Sequence, residues 1–228
     1  DAINGTGYGL TFGLHTRIDD RVQHVTDRVQ AGNIYVNRNQ IGAIVGSQPF
    51  GGHGLSGTGP KAGGPDYLLR FQAHTRGHSA KDWDQNAALP PLPPVSHTTH
   101  DSIALPGPTG ESNLYSRHPR PALLCAGPGP QAAQAQYDAI AALGGKAVLA
   151  TGVFDPAALT DGPGYGGVLW WGDTITARSM VQALAQRPGA IIPLITGQPD
   201  RAHVLIERHV CVDTTASGGN AALLGATS

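Results

Sequence analysis

Between Gly46 and Phe71 the chain reads GSQPFGGHGLSGTGPKAGGPDYLLRF, a run dense in glycine that carries Ser56 and Lys61 and ends in the aromatic-rich exit Tyr67–Phe71. Glycine reaches positive φ without a Cβ clash and lets backbone pass close to a ligand. Successive N–H groups in such a run can form a concave anion site. The stretch therefore predicts a close-approach loop for an anionic group. Ser56 and Lys61 can each touch such an anion or sit as solvated loop residues, and spacing does not separate the two. His53 has no base or nucleophile beside it in sequence and reads as structural.

Other chemistry-bearing clusters are weaker. Asn37, Arg38, Asn39 and Gln40 fall at the end of a short strand, a common place for site residues in α/β sheets; they serve equally as hydrogen-bonding groups that fix a loop. His97, His100 and Asp101 make a small group in HTTHD, but a zinc site wants three or four ligands on a rigid frame, so no metal is expected. Gly127-Pro-Gly129-Pro-Gln-Ala132 has the GxGxxA outline of a dinucleotide loop. Pro128 and Pro130 remove N–H donors that would face a pyrophosphate, and the next strand ends at Ala150 and Thr151 without the acid a ribose requires. Cys125 and Cys211 make no CxxC; each reads as a small core residue. With only two cysteines, a disulfide framework is not expected and a reducing cytoplasm fits.

These residues need elements to place them. A strand is predicted over Leu10–Thr16. Ile18, Val22, Val25 and Val29 then form one helical face, with Asp19 or Asp20 as the cap and Gly32 as the stop. Ile34–Asn37 is the next strand. Residues 77–116 are rich in Pro, Ser, Thr and Asn with little periodicity and read as a surface linker. From Pro121 a βαβαβ rhythm begins: a buried strand at PALLCAG, a helix over Gln131–Leu143, a strand at KAVLA, another over Gly166–Trp171, a helix over Thr174–Gln186 and a strand over Ala190–Thr196. That order is Rossmann-like. Glu207–Thr215 is a closing strand and a ready pairing edge. The 32 glycines are about twice the usual ~7% share. The net charge of −1 and the lack of a basic block give no reason to expect nucleic acid. No apolar run approaches the ~20 residues needed to span a bilayer.

Three stretches carry a family likeness: GYGLTFGLHTRID, AGNIYVNRNQIGAIVGSQPFGG and GLSGTGPKAGGPDYLLRF. They closely resemble the C-terminal end of the glutamate-semialdehyde (1-pyrroline-5-carboxylate) dehydrogenases of the aldehyde dehydrogenase superfamily. The nearest likeness is to the bifunctional proline-catabolic flavoenzymes, the proline utilization A family. It is close over residues 1–76 and looser beyond. GPTGESN and ERHVCVDTTASGGNAALLG resemble segments that, in long members, flank an extra noncatalytic domain and close the chain, the last covering an internal cavity.

The resemblance implies an α/β fold in four parts. Residues 1–76 would end an aldehyde dehydrogenase catalytic domain, 77–116 would be the linker, 117–200 a noncatalytic Rossmann-like domain, and 201–228 the terminal pairing strand and motif. It implies glutamate semialdehyde as substrate, with Gly63 and Gly64 holding its carboxylate end and Phe71 packing on its aliphatic portion. Family members use NAD, and FAD in an upstream proline dehydrogenase domain; they attack the aldehyde with a cysteine thiolate and pass hydride to the nicotinamide. Neither cysteine here stands in the family's nucleophile motif, and the water-activating glutamate and NAD domain are missing, so these residues alone are expected to be inactive. A cytoplasmic homo-oligomer is expected. Two further readings stay open: the tail of a monofunctional semialdehyde dehydrogenase, and a noncatalytic assembly or binding module.

Overall fold

The computed structural model describes residues 1–72, 82–95 and 99–215. After a 3-10 turn at Asn4–Thr6, strands β1 (Tyr8–Gly9) and β2 (Thr11–Leu14) lead into helix α1 (Asp19–Thr26) and strand β3 (Asn33–Val36). Strand β4 (His53–Gly54) and a second 3-10 turn (Tyr67–Phe71) follow, then β5 (Asp101–Leu105), β6 (Glu111–Pro119) and β7 (Leu123–Cys125). Helix α2 (Gly129–Ala142), β8 (Ala147–Leu149), β9 (Val168–Leu169), α3 (Thr174–Ala185), β10 (Leu194–Ile195), α4 (Arg201–Val204) and β11 (Leu205–Asp213) complete the order. The chain divides into two compact units, one of Asp1–Tyr67, Thr99–His118 and Glu207–Ser228, the other of Leu68–Thr98 and Pro119–Ile206.

In the first unit five strands run in the order β2-β3-β11-β6-β5. β3 pairs in parallel with both β2 and β11, while β5 and β6 form an antiparallel pair. One face is apolar: Ile34, Val36, Val210, Val212 and Phe12 meet Val22 of α1 and Val29 beyond it. Of the helical stripe read from the sequence, Val22 and Val29 pack here, while Ile18 stays 52% exposed. The helix ends differ. Ile18 is the N-cap without a side-chain bond, and Asp19 and Asp20 lie in the first turn, where their charge favours the helix's positive end. The helix stops at Thr26, ahead of Gly32. Gly32 is needed for another reason: a Cβ there would stand 1.9 Å from the carbonyl oxygen of Gly51.

Two further expectations change. Residues 101–119, part of which reads as linker, form the β5–β6 hairpin, with Ile103 opposite Tyr115. Low composition-level periodicity hid a strand whose inward residues are polar. The strand at Glu207–Thr215 does pair, but with β3 and β6 on either side of it within the chain. It is interior, so its hydrogen-bonding edges are already used. The aromatic-rich exit Tyr67–Phe71 forms a 3-10 turn. His97 and the terminal motif beyond Thr215 lie outside the described residues.

The second unit holds a parallel sheet in the order β10-β9-β7-β8. Alternate residues of its strands serve two layers. Leu124 and Val168 face Met180, Ala183 and Leu184 of α3, while Leu123, Leu169 and Ile195 face Ala132 and Ile140 of α2 and Val204 of α4. This is the βαβαβ arrangement that the sequence predicts. The proline-rich stretch 82–95 lies extended against this unit: Trp83, Leu89 and Leu92 pack on the α3 side of the core, and the Tyr165 hydroxyl donates to the Pro90 carbonyl at 2.6 Å.

Candidate functional site

The glycine-rich loop rests on the second face of the five-stranded sheet, and that face is polar. In-register pairing puts His209 beside Asn33 and Cys211 beside Tyr35. Period-two alternation adds Glu207 on β11 and Glu111, Asn113, Tyr115 and Arg117 on β6. Eight of these nine residues are below 9% exposed, Glu111 being partly buried. A buried polar face must find partners. The loop supplies most of them.

Its two arms join through Phe50 and Ala62, which exchange backbone hydrogen bonds at 3.0 and 2.8 Å. Asn33 donates from Nδ2 to the Pro49 carbonyl at 2.9 Å and accepts at Oδ1 from Gly51 N–H at 3.1 Å. The same Oδ1 accepts from Lys61 Nζ at 2.8 Å, and Nζ also donates to the Gly51 carbonyl. Gln48 donates to Glu111 Oε1 at 2.8 Å, and Arg38 pairs with the other carboxylate oxygen. At the far end Asp66, wholly buried, meets Arg117 at 3.4 Å, and Arg117 also pairs with Asp101. Glu207 binds Lys61 N–H at Oε2 and the Tyr115 hydroxyl at Oε1, each at 2.6 Å.

Burial sets the ionisation of these groups. Lys61 is 2% exposed, and desolvation draws its pKa down to about 7 against the opposing pull of Glu207. Desolvation raises Glu207, outweighing its hydrogen bonds from Tyr115 and Lys61. His209 is fully buried, and its pKa falls to about 4, chiefly through desolvation and then through the Lys61 charge. Burial pushes the Cys125 thiol up to about 12 and the Cys211 thiol up to about 11. Neither is a thiolate at neutral pH.

The loop's business end is the Gly63–Gly64 pair. Gly63 has φ +70, and no atom lies within 4 Å of where its Cβ would be. Left-handed backbone with open space where a Cβ would stand lets a ligand approach the main chain closely there. Among the described residues no hydrogen bond engages the Gly63 N–H. Gly64 differs: its N–H donates to the Lys61 carbonyl at 3.0 Å, and a Cβ on it would lie 3.0 Å from that oxygen and 3.1 Å from Glu207 Oε1. Gly63 also lines a largely apolar pocket of about 270 Å³ with Phe50, Ala62, Val45, Ala43, Gly42 and Gln48.

The other residues singled out by sequence are placed as follows. Lys61 is a buried pin of the loop. Ser56 lies in the turn closed by its N–H on the His53 carbonyl at 2.9 Å and backs against Gly52, outside the pocket lining. Phe71 ends the 3-10 turn with 73% of its surface exposed. His53 donates from Nε2 to the Glu207 carbonyl at 2.8 Å, a structural role. Sequence reasoning missed Glu207, Tyr115, Arg117 and Asp66. The alternation in ESNLYSRHP and LIERHVC was the available signal.

In the second unit the dinucleotide-like turn is already satisfied. Gly127 N–H donates to Gln136 Oε1 at 3.0 Å, and the Gly127 carbonyl accepts from Gln136 Nε2 at 2.7 Å and from Trp171 N–H at 2.9 Å. Trp170 and Trp171 are buried at the end of β9, and Trp83 donates to the Ala126 carbonyl. The residues at this switch between β7 and β9 do not fit a pyrophosphate. Among the described residues no cluster of three metal-ligating side chains is present, and no helix is long and apolar enough to cross a membrane.

The first unit carries a glycine loop on a mixed sheet and the second a Rossmann-like parallel sheet, an α/β architecture, and residues 1–75 match the aldehyde dehydrogenase family. Over nearly its whole length the chain is a relative of the bifunctional PutA proteins, matching the C-terminal portion of such a protein. It is 36% identical to the Bifunctional protein PutA of Salmonella typhimurium across 98% of this chain and 21% of that protein. The chain thus spans about a fifth of that relative's length. A 1-pyrroline-5-carboxylate dehydrogenase of Bacillus licheniformis is 50% identical over 33% of this chain and 15% of its own length. The solved structure of Proline Utilization A from Corynebacterium freiburgense shares the fold, with a TM-score of 0.58 at 24% identity over 96% of this chain and 24% of that one.

Proposed function

We propose that this chain supplies the substrate-anchor loop and a scaffolding domain of an NAD-dependent L-glutamate γ-semialdehyde (1-pyrroline-5-carboxylate) dehydrogenase in bifunctional proline catabolism. The observation that carries this is Gly63: an unengaged N–H in left-handed backbone, at the wall of an apolar pocket, on a loop held from behind by buried polar groups. Such a donor grips a carboxylate with little bulk, while the apolar wall suits the aliphatic segment between that carboxylate and the aldehyde. Gly64 N–H is spent on Lys61, so the grip is assigned to Gly63 and the close fit to Gly64. Ser56 stays at the loop's periphery, and Phe71 falls in the second unit and is given no part in the grip.

The chain's own residues orient the substrate; they do not attack it. Two buried, protonated cysteines leave no thiolate for the aldehyde carbon. NAD would supply the hydride acceptor and FAD the oxidant for an upstream proline step, and no residue of this chain is assigned to hold either. The second unit is a scaffold, because its one dinucleotide-like turn is closed by Gln136 and Trp171. Two buried cysteines without a disulfide support a reducing, cytoplasmic setting, and a homo-oligomer is proposed with it.

The test is steady-state kinetics of the full-length enzyme carrying Gly63→Ala or Gly64→Val. Each is expected to raise KM for glutamate semialdehyde by ~10-fold or more with kcat little changed, the signature of lost uniform binding. An unchanged KM in both variants would remove the substrate from this loop.

A further inference from the structure

We infer that Glu207, on the last strand, is a positioning residue that sets the substrate-anchor loop from below. The inference rests on the proposed role of Gly63 and goes further by naming what holds that glycine in place. Glu207 lies 146 residues from Lys61 in sequence, yet it touches both arms of the loop. On the return arm its Oε2 accepts the Lys61 N–H, and its Oε1 lies 3.1 Å from where a Gly64 Cβ would stand. On the outgoing arm its carbonyl accepts from His53. Tyr115 fixes the carboxylate by donating to Oε1.

The chemistry asks for a carboxylate here. A buried position that only filled space would be met better by an apolar side chain, since an ionised group loses hydration and recovers it only through well-placed partners. Glu207 is 6% exposed and each of its side-chain oxygens has its own donor. The Lys61 N–H is two residues before Gly63, so its direction sets the course of the backbone into the anchor. A loop fixed in its binding geometry before substrate arrives lowers the ordering cost of association.

The closing experiment uses the full-length enzyme with Glu207→Gln. Glutamine keeps one acceptor oxygen and turns the other into a donor, so it cannot accept from both Lys61 N–H and Tyr115 O–H. The expected result is a KM for glutamate semialdehyde at least ~5-fold higher with kcat moved less than ~2-fold. KM for a short unbranched aldehyde, which has no carboxylate to anchor, is expected to stay put. A general loss of folded structure would shift both aldehydes together, and that result overturns the inference. If Gly63→Ala raises KM and Glu207→Gln does not, the anchor stands and the positioning role falls. If neither variant changes KM, the anchor itself fails and takes this inference with it. Should Glu207→Gln not accumulate as folded enzyme, Tyr115→Phe removes one hydroxyl and faces the same comparison: a rise for the semialdehyde alone supports the role, and an equal rise for both aldehydes or none overturns it.

Discussion

His209 shows how one buried residue ties stability to pH. Its imidazole is neutral in the folded chain, with a pKa of about 4, because desolvation and then the Lys61 charge disfavour the cation more than the Ser47 backbone and Glu111 favour it. The unfolded chain takes up the proton below the usual value of about 6.5. Between those two values the unfolded state binds more protons, so stability falls as pH falls through that window. At pH 5 the loss relative to pH 7 is about 2 kcal/mol from this residue. His209→Leu is expected to flatten that slope, checked by thermal melting at the two pH values in both forms; an equal slope in the variant would assign it to other groups. The positive φ of Gly63 was legible in the local glycine density, whereas Gly32 reads in sequence as a helix stop, because the Gly51 carbonyl that requires it is brought there only by the fold. The roles of Lys61 and His209 were not legible either, since desolvation depends on what residues from distant strands place around them.

At the scale of elements, the polar face of the sheet is the feature that composition concealed. Helix α1 and the strands of the second unit were readable, because their inward residues are apolar and their periods stand out. β6 and β11 turn Glu111, Asn113, Tyr115, Glu207 and His209 inward, so a strand looked like linker in one case and like a free edge in the other. Two expected outcomes belong here. Gly32→Ala should destabilise the first unit by about 3 kcal/mol or more, since the new methyl meets a carbonyl where β3 passes the loop; urea denaturation reads it. Truncation after Ile206 should unfold the first unit, leaving β3 and β6 without their common neighbour and Lys61 without its carboxylate. A truncated chain with undiminished amide-exchange protection in β3 would contradict that placement.

For the whole molecule, the two buried thiols make a direct statement about activity. With pKa values of about 11 and 12, Cys211 and Cys125 are protonated at neutral pH and shielded from any aldehyde. The 228-residue chain alone is expected to give no NADH absorbance with glutamate semialdehyde and NAD; measurable turnover would require a nucleophile other than a cysteine thiolate. The order of the strands also bears on synthesis. Pro119–Ile206 is continuous and carries its own four-stranded sheet. It can close on itself as it leaves the ribosome. The first unit cannot, because the middle strand of its sheet is the last of the described strands to be translated. β2, β3 and the β5–β6 hairpin must wait, with the anchor loop's polar underside exposed, until β11 arrives between them. Non-local closure of this kind is slow and leaves unpaired edges open in the meantime. The glycine loop therefore gains its full support only when β11 emerges, after Pro119–Ile206 has been made.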